Sequence, residues 1–392
     1  MALPKLPPVQ KYLRRPKPGS GDFAWDADEY VPGNKLSLFV RGESLFASMA
    51  DAIDGAKESV SLETYIFGGD ATGRRFADLL IAAAKRGVRA RLIYDSIGSL
   101  DMEPAVETRM RNAGVQILEY HPVAPWRPRW AWNQRAHRKI LVVDGKIGFT
   151  GGMNICDEHA PVSQGGADWP DAHARVEGPA AHDLERLFRA VWHKETGRWY
   201  EAAGDPARRG DSAVKIVGNH EVIKRFAIRE AYVNALRASR EEVAIANSYF
   251  IPDWRIRRSL TQAARRGVSV RILVPGRSDI RSVWFAMRAT YQTLLSRGVR
   301  IFEWQGPMMH AKAVVVDAKW AAVGSYNLDH RSLQHNLEAN LQTTDAEFAA
   351  DLRRRFELGV AGAKEVTLEA WRARSLPERA LEQFFASFDY FF

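Results

Sequence analysis

HRKILVVDGKIGFTGGMN, residues 137–154, decides the reading of this chain because it recurs at 310–327 as HAKAVVVDAKWAAVGSYN. Each copy reads His, any residue, Lys, four residues, Asp, six residues, Gly, a small residue, any residue, Asn. No gap interrupts either copy. Three weaker echoes keep the same order in both halves. SLETYIF from Ser61 matches ANSYFIP from Ala246, AAKRGVRARLIYD from Ala83 matches AARRGVSVRILVP from Ala263, and NAGVQILEY from Asn112 matches SRGVRIFEW from Ser296. Ordered self-similarity of this kind marks a duplicated unit. The expected organisation is an irregular Pro-rich, basic arm over 1–34, a first half over 35–205 and a second half over 206–392.

Each half alternates short apolar runs with helical patterns, which gives an α/β fold: a mixed sheet flanked by helices in each half. In the first half, strands are expected at Leu36–Val40, Ser59–Ile66, Val88–Tyr94 and Val115–Glu119, and helices near 43–56, 73–85 and 102–113. Leu45, Met49 and Ile53 fall on one face of the first helix. Arg-Gly-Val at 86–88 and at 266–268 reads as helix stop, glycine cap and strand start. The motif itself reads as strand–turn–strand, with Asp144-Gly145 at the turn.

On a strand, residues i and i+2 share a face. His137 therefore stands beside Lys139, and His310 beside Lys312. Asn154 and Asn327 follow small residues, Gly152 and Ser325, which allow backbone N–H groups close to a ligand. An imidazole, an ammonium and an amide suit a tetrahedral anion such as phosphate, so Asn154, Asn327, Gly152 and Ser325 are the expected phosphate-binding residues. Exchange at a phosphodiester needs a nucleophile and a proton donor for the departing alkoxide, and two opposed histidines supply both. The motif gives the candidate catalytic set His137, Lys139, Asp144, His310, Lys312 and Asp317. Asp144 and Asp317 have the opposite strand parity from their histidines, which assigns them a structural part rather than proton transfer.

A net charge of +9 suits an anionic partner: nucleic acid, acidic lipid or a phosphorylated substrate. The single cysteine, Cys156, excludes an internal disulfide and a cysteine metal cluster. No apolar run reaches the length of a spanning helix, and the N-terminal stretch has no apolar core of a secretory signal.

These residues resemble the phospholipase D superfamily, whose hallmark is a twice-repeated H-x-K-x4-D with a downstream G-[GS]-x-N. Both copies match at every defining position, and the resemblance covers nearly the whole chain from about Leu36. It implies an active site at a pseudo-twofold interface, a covalent phosphohistidine on one His, acid and then base catalysis by the other, and no metal or other cofactor. The flanks GGMNICDEH from Gly151, WPDAHARVEG from Trp169 and NLDHRSLQHNLEAN from Asn327, with ETYIF and NSYFIP, resemble bacterial cardiolipin synthases of the shorter B type. By position in that resemblance, Asp171 and Glu338 orient the catalytic imidazoles. The implied reaction moves a phosphatidyl group from phosphatidylglycerol, or a related phospholipid, to a second lipid alcohol, with His137 as nucleophile and His310 as acid and base. Three alternatives share these residues: a phospholipase D-like hydrolase with water as acceptor, a phosphodiesterase nuclease, and a non-catalytic lipid- or nucleic-acid-binding module.

Just before the first motif, PVAPWRPRWAWNQRAHRK interleaves Trp126, Trp130 and Trp132 with Arg127, Arg129 and Arg135. Amphipathic indoles and guanidinium groups suit a phospholipid headgroup region. Single-stranded nucleic acid would use the same residue types. The expectation is peripheral association with the cytoplasmic side of a bacterial cytoplasmic membrane, phospholipid partners, no nucleic acid, and no oligomer required for a complete site. The aromatic end LEQFFASFDYFF is expected to dock a helix on the protein.

Overall fold

The computed structural model describes residues 15–388 apart from 24, 128, 132, 205 and 220–225. The first half contributes strands β1 (Val31–Phe39), β2 (Ser59–Thr64), β3 (Arg89–Asp95), β4 (Gln116–Tyr120), β5 (Ile140–Val143), β6 (Ile147–Gly151) and β7 (His173–Glu177). Its helices are α1 (Gly42–Gly55), α2 (Ala71–Lys85), α3 (Pro104–Asn112) and α4 (Ala181–Thr196). The second half contributes β8 (Ser212–Asn219), β9 (Glu242–Asn247), β10 (Ser269–Pro275), β11 (Arg300–Trp304), β12 (Lys312–Val316), β13 (Trp320–Gly324), β14 (Glu338–Thr343) and β15 (Ala363–Val366). Its helices are α5 (Ala227–Ala238), α6 (Trp254–Arg265), α7 (Arg281–Ala289), α8 (Tyr291–Leu295), α9 (His330–Gln334), α10 (Ala346–Ala361), α11 (Leu368–Arg372) and α12 (Leu376–Ala386).

All strands join one 15-stranded sheet in the order β15-β11-β10-β9-β12-β13-β14-β8-β1-β7-β6-β5-β2-β3-β4. The order is nearly palindromic about β8 and β1. In each half the strands separated by helical crossovers run parallel, β2-β3-β4 and β9-β10-β11. The motif strands are antiparallel hairpins, β5-β6 and β12-β13. The duplicated sequence thus folds twice, as the repeat requires.

Local chemistry explains where elements end. The carboxylates of Asp70 and Asp253 accept backbone N–H groups at the starts of α2 and α6, caps worth about 1 kcal/mol each. Gly87 and Gly267 take φ of +86° and +88°. Val88 N–H then reaches Ala83 O and Val268 N–H reaches Ala263 O, closing the same left-handed stop at both repeats. This is the Arg-Gly-Val junction read from the sequence.

An apolar core lies between the halves: Ile140, Val142, Ala174 and Val176 are buried in one cluster with Ala313, Val315, Val323 and Leu341. The described part of the N-terminal arm is built into the fold. Residues 15–30 lie on the second half, and β1 starts at Val31, inside the expected arm. Gly19 N–H donates to Arg237 O, Gly21 N–H to Ala238 O, and Phe23 and Trp25 are buried in the second half's core. At the other end, α12 packs on α7, with Phe385 stacked on Phe285 at 5.4 Å. Phe384 and Phe388 stay exposed, and Phe391 and Phe392 lie outside the described residues.

Candidate active site

His137 and His310 meet at the seam between the halves, and each is oriented from across it. His137 Nδ1 lies 2.9 and 3.1 Å from the two carboxylate oxygens of Glu338. His310 Nδ1 lies 2.8 Å from Asp171 Oδ2. The backbone makes the same exchange: His137 N–H donates to Leu337 O at 3.0 Å, and His310 N–H to Pro170 O at 2.8 Å. A carboxylate on Nδ1 fixes the tautomer, so Nε2 is the atom presented to a substrate.

Both histidines line a pocket of about 380 Å³ with Tyr65, Asn154, Tyr249, Asn327 and Arg331. Lys139 Nζ donates to His137 O at 2.7 Å, and Lys312 Nζ to Ser248 Oγ at 2.9 Å and to His310 O. Asn154 Oδ1 accepts from Ile66 N–H, and Asn327 Oδ1 from the Ser248 hydroxyl. Each amide is left with its NH₂ as the group available to a phosphate oxygen.

Burial dominates the electrostatics. It holds His137 well below the usual imidazole range, with Lys139 and Lys312 adding to the effect, and holds His310 low with the same two cations. Burial also lowers Lys139 to about 7 and Lys312 to about 8, and raises Glu338 to about 7. Loss of water disfavours the charged forms here by more than the attraction between opposite charges favours them. Neutral imidazole is the form that attacks phosphorus. An anion in this pocket would favour both ammonium forms.

Four expected site residues stand elsewhere. Asp144 accepts the backbone N–H groups of Lys57, Glu58 and Ser59 at 2.8–2.9 Å, and Asp317 those of Arg240, Glu241 and Glu242 at 2.9 Å. They clamp each motif hairpin to the start of its neighbour strand, at the end of the strand away from the histidine. Their place in the catalytic set is therefore corrected to the structural part that strand parity assigned. Gly152 and Ser325 face the orienting carboxylates rather than the pocket. A Cβ at Gly152 would sit 2.2 Å from Asp171 Oδ1, and the Ser325 hydroxyl donates to Glu338. One glycine makes room for a carboxylate and one serine holds the other.

Sequence reasoning passed over His159. It is buried, its Nδ1 has no hydrogen-bond partner, and burial lowers it to about 3. Its ring lies 5.5 Å from that of His310. His159, Asp171 and His310 place one ligand atom each within 4.8 Å of one another, the only such group found among the described residues. The quoted GGMNICDEH run contained His159, but nothing in one sequence marked it. Tyr65 and Tyr249 sit edge-on to His137 and His310.

Ahead of His137, Trp126 is 84% exposed and Trp130 43%. Arg127 pairs with Glu119, and Arg129 Nη1 donates to Glu195 O. Arg135 instead runs inward to Asp95, Ser96 and His121, and anchors the loop. Trp132 lies outside the described residues.

A family profile described as "Cardiolipin synthase, PLD-like domain" matches residues 49–192 and 232–358. Cardiolipin synthase 1 of Bacillus anthracis is 33% identical over 359 residues, covering 88% of this chain and 70% of that protein. Cardiolipin synthase B of Escherichia coli (strain K12) is 36% identical over 331 residues, covering 82% and 79%. In three dimensions the chain resembles phosphatidylserine synthase of Haemophilus influenzae Rd KW20 with a TM-score of 0.68 at 12% identity, covering 90% of this chain and 93% of that one. At that identity the likeness bears on the fold alone. No helix among the described residues is long and apolar enough to cross a membrane.

Proposed function

The chain belongs to the cardiolipin synthase family of phospholipase D-like proteins, and from that premise we propose that it is a phosphatidyltransferase working through the crossed His137–Glu338 and His310–Asp171 pairs. His137 Nε2 attacks the phosphorus of phosphatidylglycerol. The P–O bond to glycerol breaks as the N–P bond forms, and His310, which takes up a proton when the anionic phosphate binds and offsets the two lysines, gives that proton to the departing alkoxide. The hydroxyl of a second lipid then gives its proton to His310 and attacks phosphorus, and His137 leaves. Lys139, Lys312 and the amides of Asn154 and Asn327 neutralise charge on the non-bridging oxygens, where it grows in the transition state. Glu338 and Asp171 are positioning residues.

The observation that carries this reading is the reciprocal orientation across the seam. Two imidazoles are each held at Nδ1 by the other half's carboxylate and each line one pocket, which suits attack and protonation on opposite sides of a phosphate. The exposed Trp126 and Trp130 support peripheral contact with phospholipid, on the cytoplasmic face in this reading.

The test is mass spectrometry of lipids after purified protein meets phosphatidylglycerol vesicles, with and without phosphatidylethanolamine, with His137→Ala as blank. Cardiolipin from the unsubstituted protein alone is expected. Phosphatidic acid without cardiolipin would make the acceptor water. No lipid product under either condition would overturn the reading.

A further inference from the structure

A second cavity, of about 390 Å³, lies behind the reaction pocket, between the β9-β12 surface and helix α10. That volume is in the range of ligand sites. The segment around His310 divides the two: His310 lines the reaction pocket, while its neighbours Met309 and Ala311 line the second cavity. Pro170 and Asp171 form part of the same wall.

The duplication provides an internal comparison. In the first half, Glu63 is paired in register with Ile140; in the second, Ala246 is paired with Ala313. By the constant spacing of the two motifs, Ile140 corresponds to Ala313 and Arg138 to Ala311. In the first half this space is full. Arg138 and Glu63 are buried 3.9 Å apart, and Arg138 Nη1 reaches the covering helix α4 at Leu187 O, 3.1 Å away. In the second half the same positions hold alanines, whose side chains stop short of α10. Leu273 and Phe356 supply further apolar wall. Apart from Asp171 and the rim arginines the wall is mostly apolar, so the cavity favours hydrocarbon over water. It reaches the surface beside exposed Leu358, with two half-exposed guanidinium groups at the rim: Arg41, which pairs with Asp168 at 2.8 Å, and Arg355, which lies 3.4 Å from Asp351. An apolar cavity whose mouth carries guanidinium N–H donors matches a hydrocarbon chain with a polar head.

We propose that this cavity binds a lipid hydrocarbon chain, with Arg41 and Arg355 at its headgroup end. The inference rests on the phosphatidyltransferase reading for its lipid class, and the shared chemistry fits an acyl chain of the substrate or of a second lipid held beside the site.

The experiment titrates cis-parinaric acid, a fluorescent polyene fatty acid, into the full chain, into His137→Ala, into the filled variant Ala313→Ile/Ala246→Leu, and into the rim variant Arg355→Glu/Leu358→Asp. Saturable binding is expected for the unsubstituted chain and for His137→Ala. Affinity should fall roughly tenfold or more in the filled variant, since excluding two or more methylenes forfeits that much. The rim variant changes exposed residues only, so it decides the matter should the filled variant not fold. Unchanged probe affinity in folded filled protein, or in the rim variant if only that one folds, would overturn the proposal, as would no saturable binding at all. Turnover of dioleoyl- against dihexanoyl-phosphatidylglycerol identifies the chain's source. If filling the cavity lowers the long-chain preference, the chain is the substrate's own; if probe binding is lost and the preference stays, it belongs to a second lipid. Saturable probe binding without any lipid turnover in the unsubstituted protein would sink the transferase reading and leave the cavity's assignment standing.

Discussion

His310 and Asp171 are 139 residues apart in the chain and 2.8 Å apart in space, an imidazole from one half held by a carboxylate of the other. With its mirror pair, His137 and Glu338, this makes one site out of two incomplete ones. The first prediction follows from the hydrogen bond itself. Asp171→Asn and Glu338→Gln keep the shape but present the wrong partner to Nδ1, and kcat should fall by about 10³- to 10⁴-fold with the fold intact by circular dichroism. A loss under tenfold in either variant would remove the positioning role.

Both histidines are needed for different steps. His137→Ala and His310→Ala should each abolish turnover of phosphatidylglycerol, but with a radiolabelled phosphatidyl-nitrophenol donor, whose leaving group needs no proton, label should accumulate on the His310→Ala protein if His137 is the nucleophile. Label trapped on His137→Ala instead would reverse the two roles.

Phosphate binding should take up protons above neutral pH. In the empty site burial lowers Lys139 to about 7 and Lys312 to about 8. A bound anion favours the ammonium forms and raises both. At pH 8.5 the empty site is therefore short of protons that the occupied site holds; below about 6 both states are protonated and the difference vanishes. Affinity for inorganic phosphate should fall as pH rises from 7 to 9. Calorimetry in buffers of different ionisation heat should show uptake at pH 8.5 and much less at pH 6. A binding heat independent of buffer at pH 8.5 contradicts the lowered lysines.

Asp317→Ala should damage stability before chemistry. Three backbone N–H groups lose a charged acceptor, at a cost of about 3 kcal/mol. The expected result is a clearly lower melting temperature, with turnover per folded molecule reduced far less than in Asp171→Asn. Equal loss of turnover at unchanged melting temperature would return Asp317 to the catalytic set.

Zinc should inhibit. His159, Asp171 and His310 offer two nitrogens and an oxygen in close array, the donor types zinc prefers. Capture of His310 by the ion takes the acid and base out of use. Chelator alone should leave activity intact and should reverse inhibition by added Zn²⁺; His159→Gln should weaken the inhibition. Activity lost to chelator and restored by divalent metal would overturn the metal-free mechanism.

Much of this was legible in one sequence because the chain says it twice. The strand–turn–strand motif, the Gly87 and Gly267 stops and the crossed carboxylates Asp171 and Glu338 all had a second copy, or a family pattern, to confirm them. The aspartates Asp144 and Asp317 gave themselves away by strand parity. What stayed hidden lacked such a partner. His159 has no counterpart in the repeat that its spacing would reveal. Gly152 and Ser325 looked alike as small residues, yet their use depends on which carboxylate stands opposite, a tertiary fact. The hollow behind His310 appears only when alanines of one half are set against Glu63, Arg138 and Ile140 of the other in three dimensions.

The strap formed by residues 15–30 has a consequence for how the protein is made. A nascent chain leaves the ribosome N-terminus first, yet Tyr30 meets Trp320 at a separation of 290 residues, and Phe23 and Trp25 belong to a buried cluster built from the second half. At a synthesis rate of roughly 5–20 residues per second, that partner arrives some 15–60 s later. For that interval the Tyr30 hydroxyl is without its indole partner beside a first half already made. A segment made before the first half thus takes its final partner only once the second half has been made as far as Trp320.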